Sequence, residues 1–300
     1  MDEDEDYAVF LDSWQPSGQL AHACLPPYLN DPLMEKRLLD DLSGTSEPVR
    51  TIYAPDLKPI TSSEFAIRGM TFIEKNQARW SNEFNDYVKS NGIPSKKMEK
   101  FYKFFRDDWV DGMSRRQKSP MALSIKQSIE DHDLFHYGCS TKEFVINPIS
   151  TATGSFFSKE EMATIFDANK GLLETYLSDY VDHLGSDLVS TFSDLYVRRG
   201  VYMPEIDTFR KELNHLSSYS LALGPVEQFA QTYSNATKGI GTPCIFAAPI
   251  PAVQKRTVAF APFIPKMSIQ QFEIIVAPPI EKITLQQLGV HGGIHEFEFR

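Results

Sequence analysis

The stretch Gln271-Phe272-Glu273-Ile274-Ile275-Val276-Ala277-Pro278-Pro279 constrains the chain more than any other. It is short, β-branched and aromatic, and it stops where proline removes the backbone donor, so it predicts a buried strand. Side chains alternate along a strand, which puts Gln271 and Glu273 on one face and Phe272, Ile274 and Val276 on the other. At about 3.3 Å per residue, the amide and the carboxylate would stand roughly 6–7 Å apart. An acid and an amide embedded in an apolar strand suit the floor of a cleft better than a solvated surface.

The 300 residues, 42% of them apolar, allow one large domain or two ordinary ones. The formal charge is −10, and part of it sits in the solvated opening run Asp2-Glu3-Asp4-Glu5-Asp6. Before the C-terminal half, basic residues are densest at Lys96-Lys97 and Arg115-Arg116, too sparse for a surface that tracks phosphates, so nucleic acid is not expected as a partner. Cys24, Cys139 and Cys244 are odd in number and far apart, which argues against a disulfide framework and for a reducing compartment. An acidic start predicts no cleaved secretory signal. The most apolar run, Cys244 to Val253, is broken by Pro249 and Pro251, so no membrane span is expected.

Along the chain, proline marks an irregular start with a helix expected from Pro32 to Leu42. From Ser63 to about His132 the pattern is helical. A first stripe carries Phe72, Ile73, Ala78, Trp80, Phe84, Tyr87 and Val88 and ends at Asn91-Gly92. A second helix opens at Pro94-Ser95 and carries Met98, Phe101, Tyr102, Phe104, Phe105 and Trp109, an aromatic stripe read as core. A third runs from Pro120 to about Asp131. His132 and His136 share the spacing of paired metal ligands on a helix, but Tyr137-Gly138-Cys139 follows and no second ligand cluster accompanies them. They read as surface or capping histidines, and no metal is expected.

Residues 145–157 read as a hinge. Ser158-Lys159-Glu160-Glu161 is a capping box opening a helix to about Leu184, and Ser186-Asp187 caps a shorter helix or turn through Phe192. Strands follow: Leu195 to Met203 with two central arginines, Ser217 to Ala222, Cys244 to Ile250, the 271–276 run, and His295 to Phe299. A short helix with Val226, Phe229 and Ala230 separates the second from the third. The fold class expected is α+β, with a mostly helical part over residues 1–150 and a strand-rich part over 151–300.

The order of the polar features in the second part is more informative than any one of them. An arginine precedes Gly200; Ser218-Tyr219-Ser220 follows; then comes a helix with Phe229-Ala230; last is the acidic strand ending in Pro278-Pro279. Over residues 158–300 this order resembles the Arg–Ser–Glu class of mono-ADP-ribosyltransferase toxins and effectors, with Gln271-x-Glu273 as a variant of the catalytic motif. The middle threonine of that family's Ser-Thr-Ser is Tyr219 here, and the arginine register is open between Arg198 and Arg199.

The resemblance implies two packed sheets with flanking helices around a cleft for NAD, which serves as co-substrate. Glu273 is then the catalytic carboxylate and Gln271 orients the acceptor. Ser218 holds carboxylate and ribose, Arg198 or Arg199 holds the phosphates, and Gly200, Tyr219 and Ser220 complete the cofactor-binding set. Residue chemistry agrees: a carboxylate stabilises an oxocarbenium-like ribose, and a guanidinium forks onto phosphates. Glutamine at 271 points to a non-arginine acceptor on a host protein. Phe263, in the segment Phe260 to Met267, is a candidate substrate contact. The family further implies secretion by a bacterium, action in the host cytosol, and target binding or placement by residues 1–150. Rival readings are an NAD glycohydrolase on the same cleft and an inactive interaction module. Glu296-x-Glu298 is a second acid pair on a strand, and either arginine could serve a structural ion pair.

Overall fold

A computed structural model describes residues 62–109, 119–132, 154–184, 191–203, 216–221, 226, 230, 241–269, 272–277, 285–291 and 294–299. The expected helix from Pro32 to Leu42, the turn at Ser186-Asp187, and His136 lie outside these residues.

Among the described residues, four α-helices precede the strands: α1 (Ser62–Ser90), α2 (Ser95–Lys103), α3 (Pro120–Glu130) and α4 (Lys159–Leu184). A π-helix, Phe104–Trp109, continues α2. Their ends follow the sequence signals. Gly92, at φ 92°, takes the left-handed turn that closes α1, and the Ile93 N–H returns to the Val88 carbonyl at 3.1 Å. Ser119 caps α3 by accepting from the Ala122 N–H at 3.1 Å. The capping box of α4 is reciprocal: Glu161 N–H donates to Ser158 Oγ at 3.2 Å, and Ser158 N–H to Glu161 Oε2 at 2.8 Å.

The buried stripe of α1 is narrower than expected. Ile73, Trp80, Phe84 and Val88 are buried, whereas Ala78 and Tyr87 are exposed. Trp80 stacks on Tyr176 of α4 with centroids 4.8 Å apart. The end of the expected hinge is anchored rather than loose: Phe157 is buried, packs edge-on against Phe101, and its N–H donates to Ser128 Oγ at 2.8 Å.

The strands are β1 (Tyr196–Met203), β2 (Ser217–Ser220), β3 (Thr242–Pro249), β4 (Thr257–Phe260), β5 (Glu273–Val276), β6 (Leu285–His291) and β7 (Ile294–Phe299). They pair in the order β4-β5-β2-β1-β3-β7-β6, antiparallel except for β3 with β7. The architecture is α+β, and its strands form one hydrogen-bonded order rather than two separate sheets. Its two halves meet at a short junction, where β1 and β2 share the single registered pair Arg198 and Ser220. β4 and β6 were not anticipated from sequence. One apolar cluster runs from Ile73 on α1 to Phe299 on β7, so helices and strands share a core. Asn169 ties α4 to β4 by donating to the Ile165 and Val258 carbonyls at 2.9 and 2.8 Å.

The 271–276 run departs from the expected strand. Pairing begins at Glu273, and Phe272 sits at φ 45°, which interrupts the alternation on which the shared face of Gln271 and Glu273 rested. A left-handed phenylalanine costs about 1–2 kcal/mol. Burial of its ring, worth roughly 1.5–3 kcal/mol, offsets that; the ring lies against Phe260 and Tyr180 with centroids 5.1 and 5.8 Å away.

Gly200 has a packing reason. A Cβ there would lie 1.7 Å from the Val226 carbonyl oxygen and 2.9 Å from the Ala230 backbone nitrogen, and Val226 and Ala230 are both helical. At Gly171, on an exposed position of α4, a Cβ would meet nothing within 4 Å. Urea denaturation should therefore separate the two: Gly200→Ala loses about 3 kcal/mol or more, and Gly171→Ala gains about 0.5–1 kcal/mol.

Candidate active site

Two consecutive strands, β1 and β2, and the more distant β5 bring the expected polar residues together. Register places Arg198 opposite Ser220 and Ser220 opposite Glu273, a cross-strand row over β1, β2 and β5. Glu273 is 7% exposed. Burial pushes its carboxyl above the ordinary glutamate value of 4.5, opposed by hydrogen bonds from Ser218 and Trp109 and then by attraction to Arg199. Arg199 Nη1 also donates to the Ser218 carbonyl at 3.4 Å. Glu273, Ser218 and Arg199 thus form one cluster, with the acid at its buried end.

The two neighbouring arginines have different surroundings. Arg198 is fully buried and its Nε donates to Glu296 Oε1 at 3.1 Å. Its guanidinium lies 5.9 Å from the Tyr196 ring centroid, and the Tyr196 hydroxyl donates to Glu298 Oε1 at 3.2 Å. The second acid pair, Glu296 and Glu298, therefore belongs to a buried network on β1 and β7 that adjoins, through Arg198, the row holding Glu273. Removing one member of such a buried pair leaves a charge uncompensated, at a cost of about 3–5 kcal/mol.

The other expected residues divide. Ser220 is buried beside Arg198 and Glu273 in the cross-strand row. Tyr219 is a core residue, opposite Ile274 in register and edge-on to Phe299 with centroids 6.0 Å apart. On the side where it lacks a Cβ, Gly200 meets the Val226 carbonyl. Gln271 lies outside the described residues. Phe263 does not face substrate: it is fully buried, stacked on Phe84 at 5.3 Å, because the 3₁₀ turn Ala261–Phe263 folds inward against α1. His132 is buried against Phe166, with ring centroids 4.9 Å apart.

Trp109 was missed as a site residue. It ends the π-helix, and its indole N–H donates to Ser218 Oγ at 2.9 Å across the helix–strand boundary. Its signal in the sequence was the indole itself, because a tryptophan in an aromatic core stripe needs a partner for its N–H. Arg106 and Gln77 reach the turn before β5 as well, donating to the Pro265 and Met267 carbonyls at 3.4 and 3.1 Å.

No family model and no curated protein matches this sequence. Among solved structures, the chain is similar to the crystal structure of ADP-ribosyltransferase Vis in complex with M6 inhibitor. The two share 11% identity over 75% of this chain and 84% of that one, with a TM-score of 0.33. At that level the likeness carries no argument about fold or function.

The raised carboxyl of Glu273 has a measurable sign. The folded protein holds this proton more tightly than the unfolded chain, so its contribution to stability is complete below the ordinary glutamate value. It is lost as pH rises through the raised folded-state value. Glu273→Gln removes that loss. Thermal melts of variant and wild type between about pH 4 and about pH 7 should show the difference in Tm moving in favour of the variant as pH rises.

Proposed function

We propose that this protein is an NAD-dependent mono-ADP-ribosyltransferase. The observation that carries the reading is the convergence of Glu273, Ser218 and Arg199 from β5, β2 and β1, with the carboxylate buried and held by hydrogen-bond donors. These groups match what the reaction requires. The bond between the ribose C1′ and the nicotinamide nitrogen breaks, and its electron pair leaves with nicotinamide. The positive charge left on the ribose is stabilised by the Glu273 carboxylate, in a setting where water competes little. The acceptor's lone pair then attacks C1′ and the acceptor loses its proton.

Of the two arginines, Arg199 is assigned to the NAD phosphates. Arg198 is committed to Glu296 inside the sheet, and recruiting it would break a buried ion pair. Ser218 directs its hydroxyl to Glu273 and, in this reading, to the ribose. Ser220 supports the row from behind. Gln271 keeps its proposed role in orienting a non-arginine acceptor, a role that rests on the motif Gln271-x-Glu273 alone. Residues 151–300 are proposed as the catalytic part and residues 1–150 as the part that contributes target binding or placement. The motif resemblance also supports a bacterial toxin or effector that modifies a host protein in the host cytosol.

Incubation with biotin-labelled NAD and a eukaryotic lysate tests this directly. The wild type should label a protein band. Glu273→Gln should lower labelling by about 10²–10³-fold, and Ser218→Ala by about 10–100-fold. Arg199→Met should weaken labelling mainly by raising the KM for NAD. Nicotinamide release without a band would indicate hydrolysis instead, and neither signal from a folded protein would indicate an inactive interaction module.

A further inference from the structure

The indole of Trp109 enters the Glu273 cluster from outside the strands, and its donor geometry has a chemical consequence. A serine hydroxyl has one proton to give and two lone pairs to accept with. Trp109 Nε1–H has no acceptor capacity and occupies one lone pair of Ser218 Oγ at 2.9 Å. The same N–H also bears on the Glu273 carboxyl, to which the Ser218 hydroxyl donates as well, so the indole is set between the serine and the acid. Linked hydrogen bonds of this kind also polarise one another, so an indole N–H on the serine oxygen makes the hydroxyl a better donor.

The indole is itself held firmly. Phe104 and Phe105 lie against it with centroids 6.1 Å away, and the Lys126 ammonium of α3 lies 5.6 Å from a ring centroid. A cation over the ring draws electron density from it and strengthens the N–H as a donor. The residue sits at the end of a π-helix, a helical form that places side chains off the regular stripe and recurs at functional sites.

We infer that Trp109 is a positioning residue for this site: its indole N–H, set between Ser218 Oγ and the Glu273 carboxyl, holds the two side chains together. The helical part of the chain is on this account a structural component of the active centre. The inference rests on the reading of this cluster as the reactive one, but its test is separable from that reading. Among the described residues, the charged groups near the carboxylate and the indole include Arg199 and Arg198 from β1 and Lys126 from α3. None of them is altered by Trp109→Phe, which keeps a ring and removes the donor.

The test is an NMR titration of the Glu273 side-chain carboxyl in ¹³C-glutamate-labelled full-length protein, paired with nicotinamide release. In Trp109→Phe the Glu273 midpoint should move to higher pH than in wild type. The kcat for nicotinamide release should fall about 10-fold while the KM for NAD changes little. An unchanged midpoint overturns the proposal, as does faster release, which would make the indole a plug. If the wild type releases no nicotinamide, the transferase reading fails while the titration still decides the role of Trp109. A second measurement needs no Trp109 variant. The chain has three tryptophans, and one indole N–H resonance should follow the Glu273 titration in wild type and cease to do so in Glu273→Gln. If none follows it, the proposal is wrong.

Discussion

A carboxylate taken out of water has to be held by something, and the structure around Glu273 is arranged by that requirement. An unpaired buried acid protonates rather than staying charged. Here burial raises the carboxyl's affinity for its proton, while Ser218, Trp109 and Arg199 work in the opposite direction. Each of the three comes from a different element, β2, the π-helix and β1, so the site requires the sheet and the helices to be assembled together. The shared apolar cluster, from Ile73 to Phe299, provides that assembly.

The adjacent arginines have different surroundings at successive positions of one strand. Arg198, Tyr196, Glu296 and Glu298 form a buried polar network between β1 and β7, close to the point where the two halves of the sheet meet. Arg199, one residue on, reaches the Ser218 carbonyl and the neighbourhood of Glu273. The next position, 200, demands glycine because the Val226 carbonyl leaves no room for a side chain.

Much of the helical half was legible because helix ends are written in local chemistry. The capping box at Ser158, the Asn91-Gly92 stop and the Pro120 start all act within a few residues. The strand bearing Glu273 was legible as an apolar run, but its first residues were not. The left-handed Phe272 is stabilised by rings from β4 and α4, contacts distant in sequence. Phe263 was misread for a similar reason: nothing local to Phe260-Ala261-Pro262-Phe263 says that Phe84 will stack on it. That Arg198 is the arginine held in a buried ion pair also could not be read locally, since its partner is Glu296, about a hundred residues on in the sequence. Trp109 illustrates the converse. Its stripe was correctly read as core, and the polar edge of its ring turned out to point at the site.

The account's central claim is that the Glu273, Ser218 and Arg199 cluster receives NAD. A crystal structure of the full chain carrying Glu273→Gln, grown with NAD so that turnover is suppressed, tests it most directly. The account predicts the nicotinamide ribose within hydrogen-bonding distance of Ser218 and position 273, the pyrophosphate on Arg199, and the Arg198–Glu296 pair intact. NAD bound elsewhere, or bound through Arg198 with that pair broken, would contradict it.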